Sequence, residues 1–134
     1  MNEAEDVAVW DLETGGEIWR TPLPRSGVPI VWSPDGRTLA SLRENMVPML
    51  LDAATGRVLA RLEHPDARPC SALAFSPDSS QLACFLGSHR IQLWDLRAVR
   101  RELASLGLDW DLPPFSPALV RPIPHVEVEA PRKP

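Results

Sequence analysis

A Ser-Pro-Asp turn motif occurs twice in this chain of 134 residues, in nearly the same surroundings. The first copy contains Pro34 and Asp35 and the second Pro77 and Asp78, so that the two aspartates are 43 residues apart. Each copy follows a short apolar run that ends in an aromatic residue, and each precedes a Leu-Ala pair. A repeat of this length marks stacked structural units that bury their apolar faces against like neighbours.

A second motif repeats in the same phase. It is an apolar or aromatic residue followed by aspartate, and its copies, in steps of 41 and 43 residues, are Trp10 and Asp11, Leu51 and Asp52, and Trp94 and Asp95. Its aspartate lies 17 residues after the Ser-Pro-Asp aspartate in both copies that can be compared. Two interleaved motifs that hold one phase indicate a true repeat of about 42 residues.

The residues around these motifs have the chemistry of short strands and tight turns. Proline presets φ at the second position of a type I turn and glycine suits the fourth, where the first copy has Gly36 and the second has Ser79. Runs of β-branched, aromatic and other apolar residues flank the turns. The sequence therefore predicts four short strands in each repeat and an all-β fold.

The order Ser-Pro-Asp-Gly, Leu-Ala, Trp-Asp and Thr-Gly resembles the WD-repeat family over about residues 7–96. That resemblance implies four-stranded antiparallel blades arranged radially in a β-propeller. It implies a partial propeller of about two and a half blades, followed by a short helix and an extended tail. The expected divisions are an arm at 1–6, a half blade at 7–21, a whole blade at 28–63, a three-stranded last blade at 71–95, a helix and docking segment at 96–110, and a proline-rich, extended or disordered tail at 111–134.

The chain departs from the family pattern at several positions. Leu51 stands where the whole blade would have its tryptophan, and Asn45 and Ser88 stand where the turn aspartates would align. We therefore expect the blades to depend on apolar packing more than on a buried polar network. Pro48 has no N–H to donate to a ladder, so a β-bulge is expected there.

The pattern changes from strand to helix after Asp95. Apolar residues then recur at helical spacing, at Leu96, Val99, Leu103 and Leu106. Asp95 is a plausible N-cap and Gly107 fits the C-terminal stop, which predicts a helix over about 96–106. Leu108 and Trp110 are expected to pin the exit of this helix.

Residues 93–110 also resemble the ends of WD-repeat regions in large bacterial multidomain proteins, notably those of planctomycetes. Many of those proteins join the propeller to an N-terminal serine/threonine protein kinase domain. The resemblance implies a fragment of a larger protein, in which the remaining blades of the same propeller cover the two end blades. It also implies an alternative function, as the regulatory or sensor portion of a bacterial kinase.

Composition and charge exclude several classes of partner. The net charge of −4 and the isoelectric point near 5.3 give no attraction to phosphate backbones or anionic membranes, so neither nucleic acid nor membrane insertion is expected. No apolar run approaches the roughly 20 residues that cross a bilayer. With an acidic N-terminus and two cysteines, the chain is expected to be soluble and cytoplasmic.

No catalytic, cofactor or metal site is expected in the sequence. The glycines stand in isolated turns rather than in a phosphate-binding loop, and the signatures of a kinase active site are missing. His64, His89 and His125 are scattered along the chain, and together with Cys70 and Cys84 they do not have the spacing of a zinc site. Both cysteines stand among apolar residues and are expected to be buried.

The repeated positions are interpreted as structural. They are Trp10, Asp11, Pro34, Asp35, Asp52, Pro77, Asp78, Trp94 and Asp95. Their aspartates are expected to form turns, and Trp10, Trp32 and Trp94 are expected to belong to the core.

Function is predicted from analogy at the level of the fold. A propeller is a rigid disc that binds proteins or peptides, so the leading hypothesis is a non-catalytic protein-interaction scaffold. The kinase-regulatory portion is the second hypothesis, and a catalytic propeller whose active site is completed by other blades is the third. Arg97, Arg100 and Arg101 are candidates for a patch that docks an acidic partner, although a solvated helix face is the more ordinary interpretation.

Overall fold

The fold consists of antiparallel β-sheets and one short α-helix. A computed structural model describes residues 5–23, 28–65, 68–87, 89–110 and 112–115. In that part of the chain the strands are β1 (Glu5–Trp10), β2 (Glu17–Leu23), β3 (Ile30–Trp32), β4 (Thr38–Leu42), β5 (Pro48–Asp52), β6 (Val58–Arg61), β7 (Ala72–Phe75), β8 (Gln81–Phe85) and β9 (Ile91–Asp95). A single 3-10 turn spans Glu44–Met46, and helix α1 spans Leu96–Ser105. This content agrees with the all-β prediction.

Within each of three sheets, every strand pairs with the next strand along the chain. Sheet 1 contains β1 and β2, sheet 2 contains β3 to β6, and sheet 3 contains β7 to β9. The predicted arm at 1–6 and the predicted tail at 111–134 lie largely outside the described residues, which begin at residue 5 and end at residue 115. No helix in the described part of the chain has the length and apolar character needed to span a membrane.

The bulge that the sequence predicts at Pro48 lies elsewhere. Pro48 begins β5, a position at which a strand tolerates proline. The register between β5 and β6 shifts between Leu50 and Leu51, and sheet 1 has its shift at the equivalent place, between Val9 and Trp10. Both shifts immediately precede a Thr-Gly turn, so the turn geometry, rather than the proline, sets the bulge.

The two Ser-Pro-Asp turns have the same hydrogen bonds. The Gly36 N–H donates to the Ser33 carbonyl over 2.9 Å, and the Ser79 N–H donates to the Ser76 carbonyl over 2.9 Å. Ser79 thereby adopts the left-handed conformation (φ 63°) that Gly36 adopts (φ 72°). The turns also contact each other, because the Ser79 hydroxyl accepts a hydrogen bond from the Asp35 N–H over 3.1 Å.

The second motif also forms the same structure in each copy. The carboxylates of Asp11 and Asp52 each accept a hydrogen bond of 2.8 Å from the N–H two residues further on. Gly15 and Gly56 donate to the carbonyls of these aspartates over 2.8 Å and adopt φ values of 68° and 74°. Asp95 accepts the corresponding N–H over 3.0 Å, but the chain there continues into helix α1.

Two apolar clusters hold the sheets together. Between sheets 1 and 2, Trp19 is buried against Leu39, Met49 and Leu51, and its indole N–H donates to the Ala53 carbonyl over 2.8 Å. A larger cluster joins sheets 2 and 3 to helix α1, and its members include Leu42, Leu50, Leu62, Leu73, Leu82, Cys84, Leu96 and Trp110. Each sheet therefore packs an apolar face against the next sheet along the chain.

Two of the tryptophans that were expected in the core are half-exposed. Trp10 is 52% exposed and Trp32 is 51% exposed, whereas Trp94 is partly buried against the larger cluster. Trp10 follows Val9, which packs towards sheet 2, so its own side chain lies on the opposite face. Trp32 lies on β3, the edge strand of sheet 2. The expectation for Trp10 and Trp32 was wrong because the covered face depends on the neighbouring sheet.

Helix α1 has the ends that the sequence predicts. Asp95 is its N-cap, and Gly107 follows its last turn with φ 69°. The Leu108 N–H donates to the Leu103 carbonyl over 2.8 Å, which completes a Schellman motif. Leu106 and Leu108, which were expected to pack, are 70% and 65% exposed because they lie beyond the last helical turn.

Candidate functional site

Three chain connections meet at one end of sheets 2 and 3. They are residues 43–47 between β4 and β5, 62–71 between β6 and β7, and 86–90 between β8 and β9. Successive connections of antiparallel strands alternate between the two ends of a sheet. The Ser-Pro-Asp and Thr-Gly turns therefore lie at the opposite end. We call the end with the three connections the loop end, and the end with these turns the turn end.

Backbone hydrogen bonds fix the connections at the loop end. The Cys70 N–H donates to the Met46 carbonyl over 3.1 Å and so ties the second connection to the first. The Leu86 N–H donates to the Arg90 carbonyl over 3.0 Å, which closes the third connection into a tight hairpin. His89 stands at the tip of that hairpin with φ 63°. These hydrogen bonds hold the backbone in place at Met46, Cys70, Leu86 and Arg90.

The connections enclose a groove between sheets 2 and 3, which we call the end groove. It consists of three adjoining cavities of about 430, 260 and 220 Å³. Basic side chains of His64, Arg68, His89 and Arg90 line the largest cavity, together with the apolar side chains of Leu86 and Ile91. The second cavity shares His64, Arg68 and Leu86 with the first and extends over Pro48 and Leu62. The groove is therefore continuous, with charged walls and a partly apolar floor.

The walls of the end groove are basic although the whole chain is acidic. The arginines along it are Arg43, Arg61, Arg68 and Arg90, and Glu63 is the acidic residue among its described lining. Within the described residues, no carboxylate lies within ion-pairing distance of Arg68 or Arg90. Both arginines are exposed, so their guanidinium groups face solvent at the rim of the largest cavity.

The repeated aspartates lie at the turn end, away from the end groove. The carboxylates of Asp35 and Asp78 accept hydrogen bonds from the serine hydroxyls of their own turns over 2.5 and 2.6 Å. Hydrogen bonds from Ser76 and then Ser80 hold the pKa of Asp78 well below its usual range, with a smaller contribution from the charge of Arg97. These carboxylates form hydrogen bonds within their own turns. They are not among the described residues that line the end groove, where His64 and His89 lie.

Arg100 does not belong to an exposed docking patch. Its guanidinium donates to both carboxylate oxygens of Asp109, over 3.0 and 3.2 Å, and is 9% exposed as a residue. It also donates to the carbonyls of Trp110, Leu112 and Pro113, over 3.2, 2.7 and 2.8 Å. Arg100 thus holds the segment after helix α1 against the helix, which corrects the expectation of a solvated or partner-binding side chain.

The other two candidate arginines differ from Arg100 and from each other. Arg97 is partly buried and forms an ion pair of 3.4 Å with Asp78 of the second Ser-Pro-Asp turn. Arg101 is exposed on the helix. The three arginines therefore do not form one surface, because only one of them presents its side chain fully to solvent.

The cysteines are buried in the cluster between sheets 2 and 3. Cys70 and Cys84 are free thiols with no exposed surface. Burial, followed by the neighbouring Cys70 thiol, raises the pKa of Cys84 to about 12. A thiol that stays protonated is a poor nucleophile and a poor metal ligand. Among the described residues, no group of three or more His, Cys, Asp and Glu side chains is placed to hold a metal ion.

Comparison with known proteins adds a sequence similarity to this geometry. The chain is 33% identical over 102 residues to WD repeat, SAM and U-box domain-containing protein 1 of Danio rerio. The similarity supports a WD-repeat relationship. The alignment covers 72% of this chain and 21% of that relative, so this chain spans about a fifth of the relative's length. No protein-family model matches the chain.

Sequence reasoning did not find the end groove. His64 and His89 were interpreted as scattered, yet they line the same cavity, and His125 lies outside the described residues. Arg68 and Arg90 were not singled out, because connections carry no periodic pattern. One signal was available: alternate connections of consecutive antiparallel strands share one end of the sheets, and both arginines lie in such connections.

Proposed function

We propose that this chain is part of a WD-repeat β-propeller that serves as a non-catalytic protein-interaction scaffold, with the end groove as its peptide-binding site. The propeller architecture is supported by three sheets in chain order that repeat the same turns and pack face to face. The binding role is supported above all by the end groove. It is an elongated concave surface with an apolar floor and charged walls.

The non-catalytic part of the proposal is supported by the state of the reactive side chains. The Cys84 thiol has a raised pKa and no access to solvent. The repeated aspartates take part in turn hydrogen bonds at the far end of the sheets. The two described histidines lie in the end groove, and the described lining of their shared cavity contains no serine, threonine or cysteine.

The kinase-regulatory alternative rests on the sequence resemblance at residues 93–110. Those residues form the end of β9, helix α1 and the segment that Arg100 holds in place. Their contacts are those of a structural cap on sheet 3, so no feature of this region favours the alternative over the scaffold. The cytoplasmic location remains a prediction from the sequence.

A selection of displayed random peptides on the full chain tests the proposed function. It is run in parallel on the wild type, on His64→Trp and on Thr55→Trp. His64 is exposed and lines two of the cavities, so a tryptophan there fills the shared part of the groove, whereas Thr55 is exposed at the turn end. We expect enriched peptides that bind the wild type and Thr55→Trp but not His64→Trp. An absence of enrichment, or peptides that bind His64→Trp equally well, would contradict the proposal.

A further inference from the structure

We infer that the end groove selects acidic peptides, whose carboxylates pair with Arg68 and Arg90 while an adjacent apolar residue contacts Leu62 and Leu86. This inference rests on the proposed function and adds to it the chemical class of the ligand. The features that carry it are the two arginines that line one cavity, the other residues of that cavity and the position of the apolar floor.

Three arginines elsewhere in the described structure pair with carboxylates of the chain itself. Arg20 pairs with Glu17 over 2.8 Å, Arg97 with Asp78 over 3.4 Å, and Arg100 with Asp109 over 3.0 Å. Arg68 and Arg90 have no carboxylate partner among the described residues, which is also true of Arg37, Arg57 and Arg101, but Arg68 and Arg90 line the same cavity. Two guanidinium groups at the rim of one cavity repel each other, and an anion between them relieves that repulsion.

The side chains of the largest cavity favour a carboxylate ligand. A guanidinium group offers donors in a planar fork, which matches the two oxygens of a carboxylate. His89 lines the same cavity and offers ring nitrogens to a ligand, while Gln92 offers an amide. The described lining of this cavity contains no carboxylate that would compete with the ligand.

The second cavity provides the surface that contacts the apolar residue of the peptide. Leu62 is 3% exposed and lies at its base, and Leu86 is partly buried between the two cavities. A side chain that covers these leucines loses contact with water at the same time as the neighbouring carboxylates reach the arginines. The elongated groove therefore fits a short extended segment in which an apolar residue has acidic neighbours.

Fluorescence anisotropy on the full chain tests this inference with three labelled peptides of equal length. In the first, glutamates flank a central leucine; in the second, glutamines replace the glutamates; in the third, serine replaces the leucine. The first peptide should bind most tightly, and its affinity should fall as salt concentration rises. Arg90→Glu and Arg68→Glu should each weaken binding by at least about tenfold, because a charge-assisted hydrogen bond is replaced by repulsion.

Arg57→Glu is the matched control, since it changes the net charge equally but lies in the exposed Thr-Gly turn at the far end of sheet 2. Equal losses for Arg57→Glu and Arg90→Glu would overturn the placement in the end groove. Equal binding of the glutamate and glutamine peptides would overturn the acidic preference and leave the proposed peptide-binding function intact. If none of the three peptides binds, the acidic inference is wrong, and the displayed-peptide selection alone decides whether the groove binds peptides.

Discussion

Replacing Gly56 with alanine should destabilise the chain far more than replacing Gly15, although the two glycines occupy equivalent Thr-Gly turns. Both adopt left-handed conformations, with φ 74° and 68°, so an alanine adds about 1 kcal/mol of backbone strain at either position. The surroundings differ. A Cβ at Gly15 has no described neighbour within 4 Å, whereas a Cβ at Gly56 would lie 2.5 Å from Cε3 and 2.7 Å from Cδ2 of Trp19.

The size of the destabilisation follows from the contacts that hold the Trp19 ring in place. Carbon atoms pack at about 3.5–4.0 Å, so the indole ring would have to retreat by about 1 Å. Its N–H donates to the Ala53 carbonyl over 2.8 Å, and the ring is buried between sheets 1 and 2. Overpacking costs about 1–3 kcal/mol, and loss of the hydrogen bond costs about 1 kcal/mol more. Gly56→Ala should therefore lower the free energy of unfolding by about 3–5 kcal/mol, against about 1 kcal/mol for Gly15→Ala.

Urea unfolding of the full chain, followed by circular dichroism, measures this difference. With a slope of about 1–2 kcal/mol per molar urea, the two midpoints should differ by at least about 1 M. Amide hydrogen exchange in β5 makes the same comparison locally. In a Trp19→Ala background the ring is gone, so Gly56→Ala should cost about as much as Gly15→Ala. Equal midpoints for the two glycine variants, or an unchanged cost without the ring, would refute the argument.

Three further predictions concern other contacts. At pH 7, Asp109→Asn should lower stability by about 1 kcal/mol. Because hydrogen bonds from Arg100 lower the pKa of Asp109 below 3.8, the wild type loses this advantage as pH falls from that value through the lowered pKa, so urea midpoints of the two proteins should converge there. Ser79→Ala should cost about 1 kcal/mol, whereas Ser79→Gly should be nearly neutral, since relief of the left-handed conformation offsets the lost hydrogen bond; equal midpoints for the two would contradict this. Leu93→Glu should reduce concentration-dependent self-association in light scattering, because Leu93 is 64% exposed on β9, an edge strand of sheet 3, and Leu106→Glu, at a 70% exposed site just after the helix, should not.

The sequence predicted those parts of the fold that local chemistry decides. The Ser-Pro-Asp turns, the Asp95 N-cap and the glycine stop at Gly107 all depend on residues within a few positions of one another. Such interactions are nearly independent of the rest of the chain, so a short sequence motif is sufficient to predict them. The phase of the repeat then placed the strands between the turns.

The burial of individual side chains could not be predicted from the sequence repeat. Trp10 belongs to a repeated motif and was expected in the core, while Trp19 received no role. The structure reverses this: Trp10 is 52% exposed, and Trp19 is 9% exposed between sheets 1 and 2. Both lie in strands with alternating faces, and the deciding factor is which face the neighbouring sheet covers. That information is carried by contacts between residues such as Trp19 and Gly56, which are far apart in the sequence.

The candidate site could not be predicted from the sequence for a related reason. Arg68 and Arg90 come from different connections and meet because sheet 3 packs on sheet 2. In the sequence, the acidic residues Glu44, Glu63 and Asp66 balance the arginines of these connections, so local charge gives no hint of a basic surface. Arg100 was misjudged in the opposite sense: its helical position suggests solvent, but Asp109 and three carbonyls return to it after the Gly107 stop.

Asp95 shows how the same repeated residue can produce two different structures. Its carboxylate accepts N–H groups two and three residues further on, as that of Asp11 does. The backbone before it also follows the repeat, since the Leu96 N–H donates to the Ser80 carbonyl as the Ala53 N–H donates to that of Arg37. The difference comes four residues after the aspartate, where Gly15 and Gly56 adopt left-handed conformations and Val99 stands in their place. A β-branched residue disfavours that conformation, so the chain continues as a helix instead of turning back into a fourth strand.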